Sequence, residues 1–349
     1  MKAIGSIKGV GMKVLVTGAT GFLGSHVAES LAHQGWQVRT LARSASKAEL
    51  LKRWNVEIEI GDLSDPAAVR KACEGVDAVV HCAAKVGDWG PVEEYRQINV
   101  DATKVLLDAC LEQKLGRFVL VSSLGVYEAR DHHGTDETTP LPAQHIDGYT
   151  QTKVEAENLA MSYYRDRGLP LVVVRPGFIY GPRDETVMPR ILANLKARLV
   201  TYFGSRHKRL NNVYVGNVVE AVELALKPDA PLGEAFNITD PQTVTKKVFF
   251  ERIADLAGLP RPFATWPMWF ARFMCGTFES AGKTFGFQPV LSMARLKFMG
   301  LNLDYSIEKA RKQLGYVGKT SFDDGMAKTI DWLRAQGRVT GKARSIQTS

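Results

Sequence analysis

From residue 12 onward, short runs of β-branched and apolar residues alternate with longer stretches in which apolar positions recur every three or four residues. The order is "KVLVTG", a helix over 22–34, "QVRTLAR", a helix near 66–74, "DAVVHCA", a helix near 92–114, and "RFVLVSS". The connections are long enough for helical crossovers, and together these features predict a parallel sheet covered on both sides. Two later strands lie in "LPLVVVRPGFIYG" and "EAFNITD", giving an α/β fold with a doubly wound parallel sheet. Residues 128–147, "EARDHHGTDETTPLPAQHID", are polar, contain Gly and two prolines, and read as an ordered surface loop leading into a helix near Tyr149. After residue 180 the strands thin out and a segment rich in aromatics and methionines appears, which predicts a smaller, mostly helical C-terminal part.

Composition narrows the function classes. The chain has 349 residues, 45% hydrophobic and 23% charged, ordinary for a globular protein with a large core. The net charge of +8 is spread along the chain with no Arg-rich run or zinc-finger spacing, so no nucleic-acid partner is expected. A mild preference for anionic ligands or membrane surfaces is the more modest implication. Cysteines at 73, 82, 110 and 275 lack paired spacing, and three of them lie in buried-looking strand or helix, which fits reduced thiols in the cytoplasm. No apolar run reaches the roughly eighteen residues of a spanning helix. Residues 1–11 read as a flexible extension, with Met12 a candidate natural start, and 337–349 as a flexible tail. His132 and His133, with Asp131 and Asp136 nearby, lack the geometry of a closed metal site, and no metal is expected.

The first strand ends in "TGATGFLG", with glycines at 18, 21 and 24 before a helix. Such glycines allow a tight turn, close approach of a pyrophosphate to the backbone, and close packing of the helix on the sheet, while the helix N-terminus offers oriented N–H groups. A structural turn is the competing reading, but the strand before and helix after favour dinucleotide binding. The second strand ends in "LARSASK", which offers Arg43 and no acid. An acid there would bond the ribose 2′-hydroxyl of NAD, and an arginine can pair with the 2′-phosphate of NADP, so NADP(H) is expected to be preferred with NAD(H) also accepted. After the third strand, Asp62 of "GDLSD" can accept from the adenine amine.

Tyr149 and Lys153 stand four residues apart and so share one helix face, an arrangement that is by itself no more than an ordinary solvated surface. The wider pattern gives it meaning. In "TGATGFLG", "GDLSD", "HCAA", "INVDAT", "VSSLGVY", "YTQTK" and "RPGFIYGP", which span most of residues 12–240, the sequence resembles the extended short-chain dehydrogenase/reductases. The resemblance implies that Tyr149 is the catalytic acid/base, that Lys153 is its electrostatic partner, and that Ser123 holds the substrate oxygen. Asn99 matches a position used near a proton-relay water, with a helix cap or buried structural amide as the alternative. A phenol ordinarily titrates near 10, so a phenolic base needs a nearby cation to work near neutrality. The resemblance further implies a cofactor held by Gly18, Thr20, Gly21, Phe22, Leu23 and Gly24 along the turn, by Arg43, Asp62 and Leu63, by Ala83, Ala84 and Lys85, and by Ser122, Tyr149, Lys153, Pro176, Gly177 and Phe178. The corresponding division is a Rossmann-type cofactor domain over 12–180 with 211–240, and a substrate domain over 181–210 and 241–336.

Within that family, "NNVYVGNVVEAVELAL" and "RPGFIYGPRDETVMPRIL" look like the 3β-hydroxysteroid dehydrogenase branch, including sterol-4α-carboxylate 3-dehydrogenases and 2-alkyl-3-oxoalkanoate reductases. The nucleotide-sugar enzymes usually carry an acid where Asn217 stands and an arginine seven positions earlier, where this chain has Leu210 beside Arg209. The expected activity is therefore interconversion of a secondary alcohol and a ketone on a hydrophobic substrate, sterol-like or a long-chain β-oxo acid. The alternatives are a nucleotide-sugar epimerase or dehydratase and a non-catalytic NADP(H) sensor. A serine hydrolase is disfavoured because "VSSLG" lacks the first glycine of the nucleophile elbow, and no dedicated isomerase base is evident. Phe263, Trp266, Trp269, Phe270, Phe273 and Met274 can line a lipid-accepting cleft, lie on a bilayer beside Arg261 and Arg272, or form a core. Family habit implies a homodimer pairing the helices of 92–114 and 149–167.

Overall fold

The computed structural model describes residues 11–287, 292–341 and 343. Among them, seven parallel strands form the central sheet: β1 (Lys13–Thr17), β2 (Gln37–Ala42), β3 (Glu57–Ile60), β4 (Ala78–His81), β5 (Arg117–Val121), β6 (Leu171–Pro176) and β7 (Glu234–Ile238). Their spatial order is β7-β6-β5-β4-β1-β2-β3. The chain winds outward from β1 to β3 and then returns to wind the other way from β4, so the order reverses between β1 and β4 and opens a crevice at the strand C-termini.

Strand periodicity sorts the core into two layers. Val14, Val16, Val80, Val119, Val121, Val172 and Val174 point to one face and pack with helix α1 (Phe22–His33), while Leu15, Val79, Phe118, Leu120, Leu171 and Val173 point to the other. That second face is covered by α2 (Pro66–Cys73), α3 (Ala102–Glu112) and α4 (Gly148–Arg167). Because successive side chains alternate and both faces are covered, the central runs Lys13–Thr17 and Arg117–Val121 show no polar alternation, whereas the edge strand Glu57–Ile60 alternates Glu and Ile. Further along come α5 (Val187–Lys196), α6 (Val215–Leu226), α7 (Lys246–Ala257), α8 (Met268–Phe285), α9 (Met293–Gly300) and α10 (Phe322–Ala335). Helix α6 returns to the sheet, and α5, α7 and α10 build a separate core around Phe249, Phe322, Tyr180 and Tyr214.

Three segments depart from the sequence expectation. The helix near 92–114 is interrupted: Val92–Arg96 is α-helical, Gln97–Asp101 is a π turn, and α3 follows. The apolar run of 169–181 divides at Gly177, beyond which Phe178–Tyr180 leaves the main sheet to pair with Asn212–Tyr214. Pro176 has no N–H to continue the ladder, and a Cβ on Gly177 would lie 1.9 Å from the Asn211 carbonyl oxygen. The surface loop of 128–147 contains a strand, His132–Thr135, paired in parallel with Leu303–Tyr305, a long-range contact invisible to local pattern.

Candidate active site

The crevice between β1 and β4 opens into a cleft of about 1100 Å³, large enough for a dinucleotide and a second molecule. Gly18 forms its inner wall at φ +71°, and a Cβ there would lie 2.8 Å from the Ala83 backbone at the end of β4. A Cβ on Gly24 would lie 2.3 Å from the Gly18 carbonyl oxygen, so α1 packs directly on the turn. The N-terminus of α1 at Gly21 has no side-chain cap and no acid in its first turn, which leaves its N–H groups open to an anion. Thr20, Gly21, Phe22 and Leu23 line the same wall. These features fit a pyrophosphate.

At the outer end stand Arg43, Asp62 and Leu63. Arg43 is exposed and makes no hydrogen bond or ion pair with a described residue. One Asp62 oxygen accepts from the Ser64 N–H at 2.9 Å and the Ser64 hydroxyl at 2.7 Å, bonds that hold its carboxyl below the usual range, with a smaller contribution from the Arg43 charge.

Helix α4 begins where Asp147 caps it by accepting from the Thr150 N–H at 2.8 Å and ends at Gly168, φ 72°. Tyr149 sits in its first turn and Lys153 one turn on, both facing the cleft. Lys153 is buried and donates to the Val121 carbonyl at the end of β5, 2.7 Å away. Burial brings its pKa down to about 8, opposed by Glu157 one turn further along. Burial pushes the Tyr149 phenol up to about 12, partly offset by a hydrogen bond with Ser123, while the Asp147 charge adds to the rise. Ser123 lies just beyond β5, its hydroxyl accepting from the Gly125 N–H at 3.0 Å. The strand end and the helix start thus bring a hydroxyl, a phenol and an ammonium to one place.

Behind them lies a buried layer that local sequence reading missed. The Ser122 hydroxyl donates to Glu157 at 2.6 Å, and Arg175 donates to Glu157 and, at 2.8 Å, to the Tyr127 hydroxyl. Glu157 carried a signal, since it stands four residues past Lys153 on the same helix face. Arg175 carried only its place at the end of an otherwise apolar strand. His81 links two elements: its Nδ1 meets the Thr17 hydroxyl at 2.7 Å and its Nε2 the Thr103 hydroxyl at 2.9 Å. Thr103 spends its own proton on the Asn99 carbonyl at 2.8 Å, so it accepts from Nε2–H and leaves Nδ1 to accept from Thr17.

Asn99 lies in the π turn Gln97–Asp101. It is buried behind the cleft wall, accepts from the Lys85 N–H at 2.7 Å, and donates to the Lys85 carbonyl at 3.1 Å and the Thr152 hydroxyl at 3.0 Å. The π turn places it beside this loop, where its side chain makes the hydrogen bonds of a buried amide. Ala83, Ala84, Lys85, Ser122, Pro176, Gly177 and Phe178 all line the cleft.

The far end of the cleft is walled by Phe178, Val187, Phe298, Leu303 and Tyr305, with Phe178 and Phe298 rings 4.6 Å apart. Here the aromatic segment is placed differently from one expectation: Phe263, Trp266, Trp269 and Phe273 do not line the cleft but are 76%, 43%, 71% and 64% exposed on and before α8. They are also too exposed to be a core. Arg209 turns away to Thr243 and Asp304, and Leu210 is buried, so neither presents a cation to the cleft. Asn217 is tied to Asp240 at 2.7 Å and to the Thr320 carbonyl at 2.8 Å. His132 is buried between Thr135 and the Glu128 carbonyl, and no cluster of three metal-binding side chains occurs among the described residues.

Comparison with known proteins agrees with this geometry. The chain is 31% identical over 328 residues to a 2-alkyl-3-oxoalkanoate reductase of Stenotrophomonas maltophilia, covering 90% of this chain and 97% of that one. It is 32% identical over 321 residues to a 3 beta-hydroxysteroid dehydrogenase/Delta 5→4-isomerase of Mycobacterium tuberculosis, covering 87% and 85%. The crystal structure of gox2253 superposes with a TM-score of 0.80 at 30% identity, covering 94% of this chain and 99% of that one. UDP-glucuronic acid 4-epimerase from Bacillus cereus in complex with NAD shares the fold, with a TM-score of 0.72 at 22% identity over 93% of this chain and 99% of that one. The profile of the NAD dependent epimerase/dehydratase family matches residues 14–239, and the chain belongs to that family.

Proposed function

We propose that the protein is an NAD(P)-dependent oxidoreductase that interconverts a secondary alcohol and a ketone on a hydrophobic substrate, sterol-like or a long-chain β-oxo acid. The observation that carries the reading is the convergence of Ser123, Tyr149 and Lys153 between a glycine-built anion cradle and an apolar wall. Gly18, Thr20, Gly21, Phe22, Leu23 and Gly24 would hold the cofactor pyrophosphate, Arg43, Asp62 and Leu63 its adenosine end, and Ala83, Ala84, Lys85, Ser122, Pro176, Gly177 and Phe178 its nicotinamide half. When bound, the cofactor gives or takes a hydride.

In reduction, Ser123 donates to the ketone oxygen and Tyr149 delivers the proton that completes the alcohol; in oxidation Tyr149 takes that proton back. Lys153 keeps two donors beyond its bond to Val121, enough to reach a ribose hydroxyl while its charge favours the phenolate form of Tyr149. Asn99 acts through Lys85 and Thr152 as a positioning residue. The absence of an inward-facing Arg209 speaks against a sugar diphosphate in the far half of the cleft.

Arg43 supports a preference for NADP(H), since its guanidinium is exposed at the adenosine end. Segments 12–180 and 211–240 form the cofactor domain, and 181–210 with 241–336 the substrate domain. A homodimer through the outer faces of α3 and α4 is supported by Val105, Leu111, Leu159, Met161 and Tyr164, which the core covers only in part. Among the described residues no helix is long and apolar enough to cross a membrane. The exposed aromatics of 263–273 beside Arg272 support peripheral contact of a cytoplasmic protein with a bilayer surface.

The test is NADPH and NADH consumption with long-chain 2-alkyl-3-oxo acids, 3-ketosteroids and UDP-keto sugars. Consumption with a lipid ketone, reduced about 10²–10⁴-fold by Tyr149→Phe, supports the reading. Turnover confined to nucleotide sugars overturns the substrate class, and no turnover of any ketone favours a sensor. Arg43→Ala is expected to erase most of the NADPH-over-NADH preference in the same assay.

A further inference from the structure

One charged side chain of the cleft has no part in the chemistry above. Lys297, on α9, donates to the Gly125 carbonyl at 3.0 Å, and the N–H of the same Gly125 donates to the Ser123 hydroxyl at 3.0 Å. One residue, Gly125, therefore links this ammonium, through its carbonyl, to the hydroxyl placed on the substrate oxygen, through its N–H. The other cleft cations are engaged or distant: Lys85 pairs with Glu94, Lys153 is bonded to Val121, and Arg43 stands at the adenosine end. Lys297 forms no ion pair with a described residue.

Asp147 attracts Lys297 electrostatically, but one of its oxygens is committed to the Thr150 N–H. An ammonium has three donors and Gly125 takes one. Burial lowers the Lys297 pKa, a cost that Asp147 offsets only in part and that an anion beside it would offset further. Ala294 and Phe298 of the same helix, with Phe178 and Tyr305, line the same cleft, so an anion held there would belong to a molecule with an apolar body. The helix is held in place at its far end, where Lys208 donates to the Gly300 carbonyl at 3.0 Å and Lys246 to the Leu301 carbonyl, and at Arg295 by Asp88.

Resting on the function proposed above, we propose that Lys297 pairs with a carboxylate on the substrate, two bonds from the reacting carbonyl carbon, and so selects a β-oxo acid over a neutral ketone. The carboxylate passes through the reaction unchanged: hydride adds to the ketone carbon, the Tyr149 proton adds to its oxygen, and the ion pair only orients the molecule.

The experiment compares 3-oxodecanoate with its methyl ester, using NADPH and the full-length protein. Wild type is expected to favour the acid by about tenfold to a hundredfold in kcat/KM, the worth of a charge-assisted hydrogen bond. Lys297→Met should erase that preference while leaving the ester within about twofold, and Lys297→Arg should retain most of it. In thermal melting of the NADP-loaded protein, decanoate should stabilise wild type more than decanamide does, and Lys297→Met should remove the difference. Equal turnover of acid and ester by wild type, or an equal loss on both with Lys297→Met, overturns the inference and leaves Lys297 as a brace for Gly125. Those outcomes still show ketone reduction; failure of wild type on both substrates and the wider ketone panel would instead overturn the functional reading, and this inference with it.

Discussion

Arg175 and Glu157 form a buried ion pair, the guanidinium Nε lying 3.0 and 3.1 Å from the two carboxylate oxygens, with both side chains under 10% exposed. It joins the end of β6 to the face of α4 that carries Lys153. A buried pair is costly to break because the remaining charge has no solvent. Glu157→Gln or Arg175→Met alone should therefore cost about 3–5 kcal/mol in urea unfolding, and the double variant should cost less than the two singles added. Single variants as stable as wild type would show that water reaches this layer.

Lys153, in the role proposed for it, is expected to set a pH limit on reduction. Burial brings its pKa down to about 8, so most of its charge is present at neutrality and is lost as pH rises through that value. The Tyr149 phenol, pushed up to about 12, stays protonated across the same window. The expected kcat/KM for ketone reduction is level near neutrality and falls above about pH 8, at up to about tenfold per pH unit. Lys153→Arg should be slower but should lose this break, because a guanidinium does not deprotonate there. A break that persists in Lys153→Arg would belong to another group.

Gly18→Ala should disrupt the turn proposed to hold the cofactor. The added methyl meets the Ala83 backbone at 2.8 Å and is strained at φ +71°. Fluorescence titration with NADPH should show at least a tenfold weaker Kd, or a protein that no longer folds; binding within about twofold of wild type would exclude the close approach of β1 and β4.

His81 makes the fold sensitive to acid. Burial lowers its pKa from 6.5 to about 3, so the folded protein holds it neutral while the unfolded chain protonates it near 6.5. Its contribution is complete above about pH 6.5 and is lost as pH falls toward 3, with a slope of up to about 1.4 kcal/mol per pH unit. His26, His132 and His145 are lowered mainly by burial as well and act in the same direction. Urea unfolding between pH 7 and about 4.5 should show stability falling with pH, more gently in His81→Gln. Equal slopes would mean that Thr17 and Thr103 also accommodate the imidazolium.

By itself the sequence determined what depends on neighbours along the chain. Apolar strand runs and crossover helices define a doubly wound sheet, the glycines at 18, 21 and 24 define the turn after β1, and the four-residue spacing of Tyr149 and Lys153 puts both on one face of α4. These are legible because strand alternation, helical period and glycine conformation are local properties. Tertiary structure alone decided what meets what across long separations. It set Lys297 against Gly125, 172 positions away, Arg175 against Glu157, and the strand His132–Thr135 against Leu303–Tyr305. It turned Asn99 behind the cleft through a π turn and left Trp269 and Phe273 exposed on α8. Nothing in the local pattern of an amphipathic helix says which partner will cover its apolar face or which of its cations will face a cavity. That choice is made when the remainder of the chain packs around it.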